Sequence, residues 1–341
     1  MATIKEVARK ARVSVGTVSN VISGAVPVSK RLKDRVLEVI KQLDYYPDHV
    51  ARSLKIRQTR TIGLVLSDIT DPFFPQIMRG AEDAAWSENY ILITFNSDDQ
   101  PDRERQALDA LRSRRVDGIL LVAATGTDPA RIRAIQDSGT PVVCLDREIS
   151  GMGLDCVVVN NFGGARECVR HLVSQGHTRI GLLNANGEMT VARERHSGYR
   201  QGLSEAGIDW NENWVKSAGP LMEDVMRAAR EMLAHTPRPF AIIAGSITHG
   251  VALLRALREM RLRCPDDVAL TIFDDPVFSE AITPPLTAVA QPSYELGRRG
   301  VEILLKRMKE PKRGRTKVIL ESDLRVRESS VAPGVRPAAG I

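Results

Sequence analysis

From Thr61 onward, short apolar runs alternate with longer amphipathic stretches. The apolar runs, predicted to be strands, are 62–67, 90–97, 118–124, 141–146, 156–160, 179–185, 240–246 and 268–274. The stretches with apolar residues at helical spacing are 74–88, 103–114, 163–174, 193–206 and 249–260. Continuous apolar strands joined by helices are typical of parallel sheets that are covered on both faces. The two series of strands predict two similar α/β lobes, with ligands bound at the carboxyl ends of the strands.

The first 45 residues show helical spacing only. A first helix is predicted over 4–11, because Thr3 followed by Glu6 is a capping-box sequence in front of an apolar stripe. Ser14 can cap a second helix, whose inward side chains are Val18, Val21 and Ile22. A third helix begins at Ser29, with a predicted buried stripe of Leu32, Val36, Leu37, Ile40 and Leu43. Two short helices around a tight turn indicate a helix-turn-helix, whose second helix enters a DNA major groove.

The charge distribution agrees with DNA binding. Residues 1–60 contain 13 Lys/Arg and 5 Asp/Glu, a net charge of +8, whereas the rest of the chain contains 35 and 37. Phosphate neutralisation supplies most non-specific DNA affinity, so this asymmetry is typical of a DNA-binding headpiece on a larger domain. A solvated basic face is the alternative, and the helix-turn-helix pattern favours DNA over it.

Composition restricts the class of protein further. The chain is 43% hydrophobic, with no apolar run near 18 residues and no apolar signal region, which predicts a soluble cytoplasmic protein without membrane contact. Four cysteines without a CxxC and six histidines without HExxH predict reduced core thiols, no metal and no cofactor. Gly151 and Gly153 lack the third glycine of a dinucleotide fingerprint, and neither GxSxG nor a P-loop occurs, so no catalysis is expected.

Two segments are predicted to have little stability of their own. Residues 48–55 form one to two turns of possible helix with only three aliphatic side chains. So short a helix is unstable in isolation, which makes it a candidate for folding when something docks on it. The Pro/Gly-rich chain after Arg327 is expected to fray.

Several segments together resemble the lactose-repressor/galactose-repressor family of bacterial transcription factors. They are TIKEVARKARVSVGTVSNVISG, YYPDHVARSLKIRQTRTIGLVLSDITDPFF, RRVDGILL, GHTRIGLL, RERHSGY, ALREMRLRCPDDVALTIFDD, TPPLTAVAQP and ESDLRVRESS. The resemblance extends from Thr3 to about Pro333. It implies a helix-turn-helix headpiece followed by a periplasmic-binding-protein-like core of two doubly wound parallel-sheet lobes.

The domain limits follow from that resemblance. The headpiece takes 1–46, the hinge helix and linker take 47–60, the core takes 61–331, and 332–341 form a flexible tail. Within the core, lobe 1 takes about 61–159 plus 290–318, and lobe 2 takes about 160–289 plus 319–331.

The resemblance also implies which residues bind operator DNA. In the headpiece they are Thr3, Ser14, Val15, Gly16, Thr17, Ser19 and Asn20, and in the hinge helix they are Val50, Ala51, Leu54 and Lys55. Val15, Gly16 and Asn20 occupy base-reading positions, whereas Thr17 and Ser19 lie nearer phosphates. The family often has Arg at the position of Asn20, and Asn pairs with adenine where Arg favours guanine. Leu54 is the wedge between the central base steps, or else an apolar residue that packs on the headpiece.

An effector site between the lobes is implied in the same way. Its residues are Asp71 and Phe73 on lobe 1, and Asn160, Arg195, Ser246 and Asp274 on lobe 2. An aromatic face, a guanidinium fork and carboxylates suit ligand hydroxyls or charged groups. Arg195 could instead form a surface or structural ion pair, and Asp274 could cap a strand end.

Two departures from the family pattern concern this site. Ser246-Ile247 stands where many members have Asn-Asp, and the aromatic residue that often shields the ligand corresponds to Trp214 or Pro220. The effector is therefore expected to be smaller than a simple sugar, less hydroxylated, or different from one.

The predicted function is that of a homodimeric repressor of a catabolic operon. It binds a near-palindromic operator and is controlled by a small-molecule effector, which either releases the DNA or is required for binding. One alternative is a regulator of the same fold that needs no ligand or responds to a protein partner. A more remote alternative is a solute-binding protein. The basic headpiece and the lack of an export signal argue against it.

Overall fold

The computed structural model describes residues 2–23, 26–45, 58–219, 221–238 and 240–331. The chain divides into two compact units, residues 1–59 and 60–341. Most of the predicted hinge segment lies outside the described residues, including Val50, Ala51, Leu54 and Lys55. The predicted tail, 332–341, lies outside them as well.

The described part of the first unit is helical. Its helices are α1 (Ile4–Ala11), α2 (Val15–Ser23) and α3 (Lys30–Gln42). Their apolar faces meet in a core of Val7, Ala8, Ala11, Val18, Val21, Val36 and Val39. The prediction that Leu37 is buried is wrong: its side chain is 44% exposed, and Val39, one turn after Val36, points inward instead.

Strands of the second unit form two separate sheets. The strands are β1 (Thr61–Leu66), β2 (Ile91–Asn96), β3 (Gly118–Leu121), β4 (Val142–Leu145), β5 (Asp155–Val159), β6 (Ile180–Ala185), β7 (Val215–Ala218), β8 (Phe240–Ala244), β9 (Val268–Phe273), β10 (Thr287–Ala290), β11 (Lys317–Leu320) and β12 (Asp323–Arg325). Among the described residues, the first sheet has the order β11-β5-β4-β3-β1-β2 and the second β12-β10-β9-β8-β6-β7. The pairs are parallel, apart from antiparallel β10 and β12.

Helices connect the strands of each sheet. In lobe 1, which contains the first sheet, they are α4 (Phe73–Ser87), α5 (Pro101–Ser113), α6 (Pro129–Asp137) and α11 (Ser293–Lys309). In lobe 2, which contains the second sheet, they are α7 (Asn161–Ser174), α8 (Thr190–Glu205), α9 (Met222–His235) and α10 (Ile247–Glu259). Short 3-10 turns occupy Glu212–Trp214, Val277–Glu280 and Glu328–Ser330. Every side chain of β4 and of β9 is buried, which confirms the predicted doubly wound α/β fold.

The chain crosses between the lobes after β5, after β10 and after β11. Each crossing takes only one or two residues between the last element of one lobe and the next element of the other. Short connections of this kind allow the lobes to rotate as bodies, because few backbone angles have to change.

The chain after Arg327 differs from the expectation that it frays. Ser329 and Ser330 are completely buried. Ser329 Oγ donates a hydrogen bond to the carbonyl of Leu270 (2.6 Å), and Ser330 Oγ lies 2.7 Å from Nε2 of His171. Hydrogen bonds to buried groups hold residues 328–331 on lobe 2, so the prediction of fraying there is wrong.

Candidate functional site

Helix α2 presents the first candidate surface. Ser14 Oγ accepts a hydrogen bond from the backbone N–H of Thr17 (3.0 Å), and the two hydroxyl oxygens are 2.9 Å apart. This cap fixes the start of α2 while Val18 and Val21 anchor its inner face. Val15, Gly16 and Ser19 are exposed, and Thr17 and Asn20 are half-buried. The outer face is thus small enough for close approach to base edges.

The described surface of the first unit carries many exposed positive charges. The exposed cations of the first unit's helices and turns include Lys5, Arg9, Lys10, Arg12, Lys30, Arg31, Lys33 and Arg35. Thr3 lies at the start of α1, where its hydroxyl accepts from the backbone N–H of Glu6 (3.3 Å) and its own N–H donates to the Glu6 carboxylate (2.7 Å). The capping box is confirmed, whereas contact of Thr3 with DNA stays a prediction.

The second candidate surface lies where the strands of the two lobes end. On lobe 1, Asp71 Oδ1 accepts from the backbone N–H of Phe73 (3.0 Å). Phe73 is buried and makes an edge contact with Phe74, with ring centroids 5.2 Å apart. Asp146 follows β4 in a left-handed conformation (φ 62°) that directs it away from the sheet's regular path.

Arg195 is the central cation on lobe 2. Its guanidinium is buried, donates from Nε to Asn161 Oδ1 (2.8 Å) and also donates to the carbonyl of Gly245. Its carbon atom Cζ lies 4.2 Å from the ring centroid of Phe273. These contacts immobilise the side chain, which favours specific binding over a loosely held surface cation.

Asp274 follows β9 and also has a left-handed backbone (φ 70°). Gln291 Nε2 donates to its Oδ1 at 2.6 Å. Burial raises the pKa of Asp274 to about 7, even though Arg195 acts in the opposite direction. Burial also raises the pKa of Asp71 and of Asp146, and Arg195 opposes the shift in each case. Carboxylates of both lobes are therefore within electrostatic reach of one guanidinium.

Ser246 is the N-cap of α10 and follows Gly245, whose carbonyl accepts from Arg195. Its Oγ lies 2.6 Å from Nδ1 of His249, and it accepts from the backbone N–H of that residue (3.4 Å). Burial lowers the pKa of His249 to about 4, so its imidazole is neutral at pH 7. Ser246 itself is half-buried.

The predicted Asn160 lies on the first crossing rather than against Arg195. Its Oδ1 accepts from the N–H of Gly163 (2.8 Å) at the start of α7, and its Nδ2 donates to Glu321 on the third crossing (2.8 Å). The neighbouring Asn161 contacts Arg195 instead. A role of Asn160 in ligand binding stays a prediction.

The site residues predicted from the sequence do not include Asp146, Arg147, Asn161 and Gln291. Asp146 ends a predicted strand, so the rule that polar strand ends bind ligands could have identified it. The other three have no separate sequence signal. Trp214, one of two candidates for a shielding aromatic, packs against Phe240 in the core of lobe 2 (centroids 5.6 Å apart), and Pro220 lies outside the described residues.

Both units match known families. Residues 3–48 match the model of "Bacterial regulatory proteins, lacI family". Residues 59–320 match "Periplasmic binding proteins and sugar binding domain of LacI family". The chain belongs to the LacI family. It is therefore a DNA-binding transcriptional regulator with an effector-binding core, as the sequence predicts.

Curated relatives and solved structures agree with this assignment. The ribose operon repressor of Haemophilus influenzae is 34% identical over 329 residues, covering 96% of this chain and 98% of the relative. The transcriptional regulator CelR in complex with cellobiose is 31% identical, with a TM-score of 0.74 over 96% of this chain and 100% of that one. The lac repressor dimer bound to operator, at 24% identity, shares the fold with a TM-score of 0.86 over 97% and 99% of the chains.

The described residues of this LacI-family chain contain neither a membrane-spanning helix nor a cluster of metal ligands. Within the described residues, no helix is long and apolar enough to span a bilayer. In the same part of the chain, no group of three or more His, Cys, Asp or Glu side chains could hold a metal ion. Cys144, Cys156 and Cys168 are buried free thiols and Cys264 is a half-buried one, as expected from the sequence.

Proposed function

We propose that this protein is a homodimeric repressor of a catabolic operon. Two α2 helices read the half-sites of a near-palindromic operator in the bacterial nucleoid, and a small molecule held between the core lobes controls their affinity for it. The match of residues 3–48 to LacI-family regulators supports operator binding. The observation that supports effector control is Arg195, a buried guanidinium held by Asn161 and the carbonyl of Gly245 on lobe 2, which acts on carboxylates of both lobes.

The operator contacts follow from the shape and charge of the first unit. A half-site of DNA accepts α2 in its major groove, where Val15 and Gly16 allow close approach and Asn20 can pair with adenine. The exposed lysines and arginines bind phosphates and hold the register. Two copies of the chain are needed to read both halves of a palindrome.

Exposed apolar surface on the core supports a homodimer. Strand β2 is an edge of its sheet, and Ile91 at its start is 62% exposed. Val277 of lobe 2 is 95% exposed. An uncovered apolar edge strand tends to associate, and a second copy of the chain covers it in a dimer.

A ligand can control operator binding only if it binds one arrangement of the lobes more tightly than another. A ligand that contacts Asp71 on lobe 1 and Asp274 on lobe 2 favours the closed arrangement of the lobes, because only that arrangement brings both to the ligand. Coupling of this kind is typically about 1–3 kcal/mol, or roughly 5- to 150-fold in operator affinity. Either sign of response, induction or corepression, fits this mechanism.

The test compares operator binding with and without ligand in Arg195→Ala. An operator is first selected from random DNA with the full chain, and a ligand is found by a thermal-shift screen of sugars, nucleobases and sugar acids. We expect Arg195→Ala to keep its operator affinity and to lose the ligand response, while Arg170→Ala, on an exposed face of lobe 2, keeps both. A retained response in Arg195→Ala would place the effector elsewhere.

A further inference from the structure

Arg60 is the first residue of the second unit, so the chain from the DNA-binding unit enters the core at this point. Its backbone is left-handed (φ 55°), a conformation that is costly for residues other than glycine. Such a conformation persists only where the surrounding structure holds it. The backbone of Arg60 therefore sets the direction of the chain in front of β1, and its contacts decide how firmly that direction is fixed.

Three parts of lobe 1 hold Arg60 in this conformation. Its N–H donates to Oδ2 of Asp117 (2.9 Å), and its carbonyl oxygen accepts from the N–H of Ile91 at the start of β2 (2.9 Å). Its guanidinium donates from Nη1 to the carbonyl of Glu88 (3.3 Å) and lies over the ring of Tyr90, with Cζ 5.2 Å from the ring centroid. Glu88 is the C-cap of α4, so the side chain of Arg60 is attached to the end of that helix.

The opposite end of α4 lies at the cleft between the lobes. Asp71 accepts from the N–H of Phe73, the first residue of α4, and is within electrostatic reach of Arg195 on lobe 2. The helix has 15 residues, which corresponds to a length of about 22 Å. A single helix therefore connects residues proposed to bind the effector with the residue at which the chain enters the core.

Helix α11 packs so closely on α4 that we expect the two helices to move together. A Cβ atom on Gly80 of α4 would overlap the carbonyl oxygen of Tyr294 on α11, so the two backbones are in direct contact. Helix α11 also begins beside the cleft, two residues after Gln291, whose amide donates to Asp274 at 2.6 Å. Closely packed helices shift as bodies, because their interface does not deform continuously. A displacement at the cleft is therefore carried to the far end of α4.

We propose that Arg60 is a positioning residue that couples the cleft to the DNA-binding unit through α4. A shift of α4 moves the carbonyl of Glu88, and the guanidinium of Arg60 follows it. The backbone at Arg60 then changes the direction of the chain that leads to the first unit. This inference rests on the proposed function, because it names the residue through which effector and operator act on each other. Coupling of two binding sites is reciprocal, so operator binding must also change the cleft.

The test follows the cleft by hydrogen exchange and uses the selected operator duplex as its probe. The full chain is compared with and without saturating operator, and mass spectrometry measures exchange in the peptides that contain Phe73 and Gln291. In the wild type we expect operator binding to change the exchange rate of these peptides three-fold or more. Saturation ensures that a difference in operator affinity between variants does not affect the comparison.

Two variants replace left-handed residues at the same end of α4 by glycine. Arg60→Gly keeps the left-handed backbone at no steric cost but removes the guanidinium, and we expect it to reduce the operator-dependent change at the cleft three-fold or more. Asn89→Gly removes the side chain of another left-handed residue (φ 59°), leaves Arg60 in place and should keep the full change. Thermal unfolding of both variants checks that the core stays folded. A merely structural role of Arg60 would lower the stability and leave the operator-dependent change intact.

Two results would overturn the inference. One is that saturating operator leaves exchange at the cleft of the wild type unchanged, which also contradicts effector control in the proposed function. The other is that Arg60→Gly keeps the full change, which leaves the proposed function intact. Failure of DNA binding itself is a separate result, because it appears as a full chain that selects no operator from random DNA.

Discussion

Asp274 and Asp275 are adjacent carboxylates in opposite electrostatic environments. Asp274 is buried in the cleft, where its pKa rises to about 7. Burial also raises the pKa of Asp275, but hydrogen bonds from Arg327 and Arg325 outweigh it, so that pKa lies below its usual range. The fold therefore disfavours the ionised form of Asp274 and stabilises the ionised form of Asp275.

Asp274→Asn should stabilise the protein, and by more at high pH than at low pH. In the unfolded chain an aspartate has a pKa of about 3.9. Between that pH and about pH 7, the native state therefore binds a proton at Asp274 that the unfolded state has lost, which stabilises the native state. The wild type loses this contribution as the pH rises through that window. We therefore compare the free energies of unfolding of the two proteins by urea unfolding. We expect the difference, Asp274→Asn minus wild type, to be about 1–3 kcal/mol larger at pH 8 than at pH 5.

Asp275→Asn is the matched control. Its carboxylate is stabilising above the unfolded pKa, so its loss should destabilise the protein by a similar amount at pH 5 and at pH 8. Equal pH dependence in the two variants would contradict the assignment of the raised pKa to Asp274.

Asn20 is the residue of α2 that we propose to bear most directly on operator choice. Asparagine pairs with adenine in the major groove and arginine with guanine, with about 1–3 kcal/mol of discrimination per bidentate pair. Asn20→Arg is therefore expected to change the preferred base at one position of each half-site from adenine to guanine. Binding to operators that vary at this base pair tests the change.

The added charge needs a separate control. Gln42→Arg adds the same charge at the end of α3. It should strengthen binding to all of these operators alike, because a phosphate contact carries no sequence information. An unchanged base preference in Asn20→Arg would remove Asn20 from the base-reading set.

At the scale of elements, the hydrophobic pattern predicts which segments form buried strands and helices. It does not predict which side chains pack against one another. Strands such as β9 are buried on both faces, so a continuous apolar run is sufficient to find them. Leu37 is an example, because it is adjacent to Val36 on α3 and only one of these two apolar residues can point inward. Asn161 and Gln291 gain their roles from contacts with residues 34 and 17 positions away in the chain, which no local spacing encodes.

The contact between α4 and α11 is such a feature of close packing. A Cβ atom on Gly297 would lie 1.9 Å from the carbonyl oxygen of Ile77 and 2.7 Å from the amide nitrogen of Ala81. Both are backbone atoms that cannot rotate away, so the helices must separate to accept any side chain.

Gly297→Ala should therefore destabilise the core by about 1–3 kcal/mol or more, through overpacking of lobe 1. Gly314→Ala is the control, because a Cβ atom there has no other heavy atom within 4 Å. Urea unfolding of both variants provides the measurement, and equal stability of the two would mean that the helix pair adjusts freely.

At the scale of the whole molecule, DNA binding and ligand binding belong to different units. Residues 60–341 have their own hydrophobic cores in both lobes, and the match to the effector-binding family begins at residue 59. The exposed apolar side chains proposed for the dimer, Ile91 and Val277, also lie in this unit. Deletion of residues 1–58 should leave a folded dimer that binds no operator, as measured by sedimentation equilibrium and operator titration.

The edge strand makes the dimer prediction specific to one surface. Ile91→Lys introduces a charge into β2 at one edge of the first sheet, and Ile319→Lys does the same in β11 at the opposite edge, where the side chain is 55% exposed. Desolvating an unpaired lysine is costly only if a second copy covers it. We therefore expect Ile91→Lys to weaken dimerisation and operator affinity together, and Ile319→Lys to change neither. If the truncated chain were monomeric, or if Ile319→Lys alone produced monomers, the dimer contact would not lie at β2.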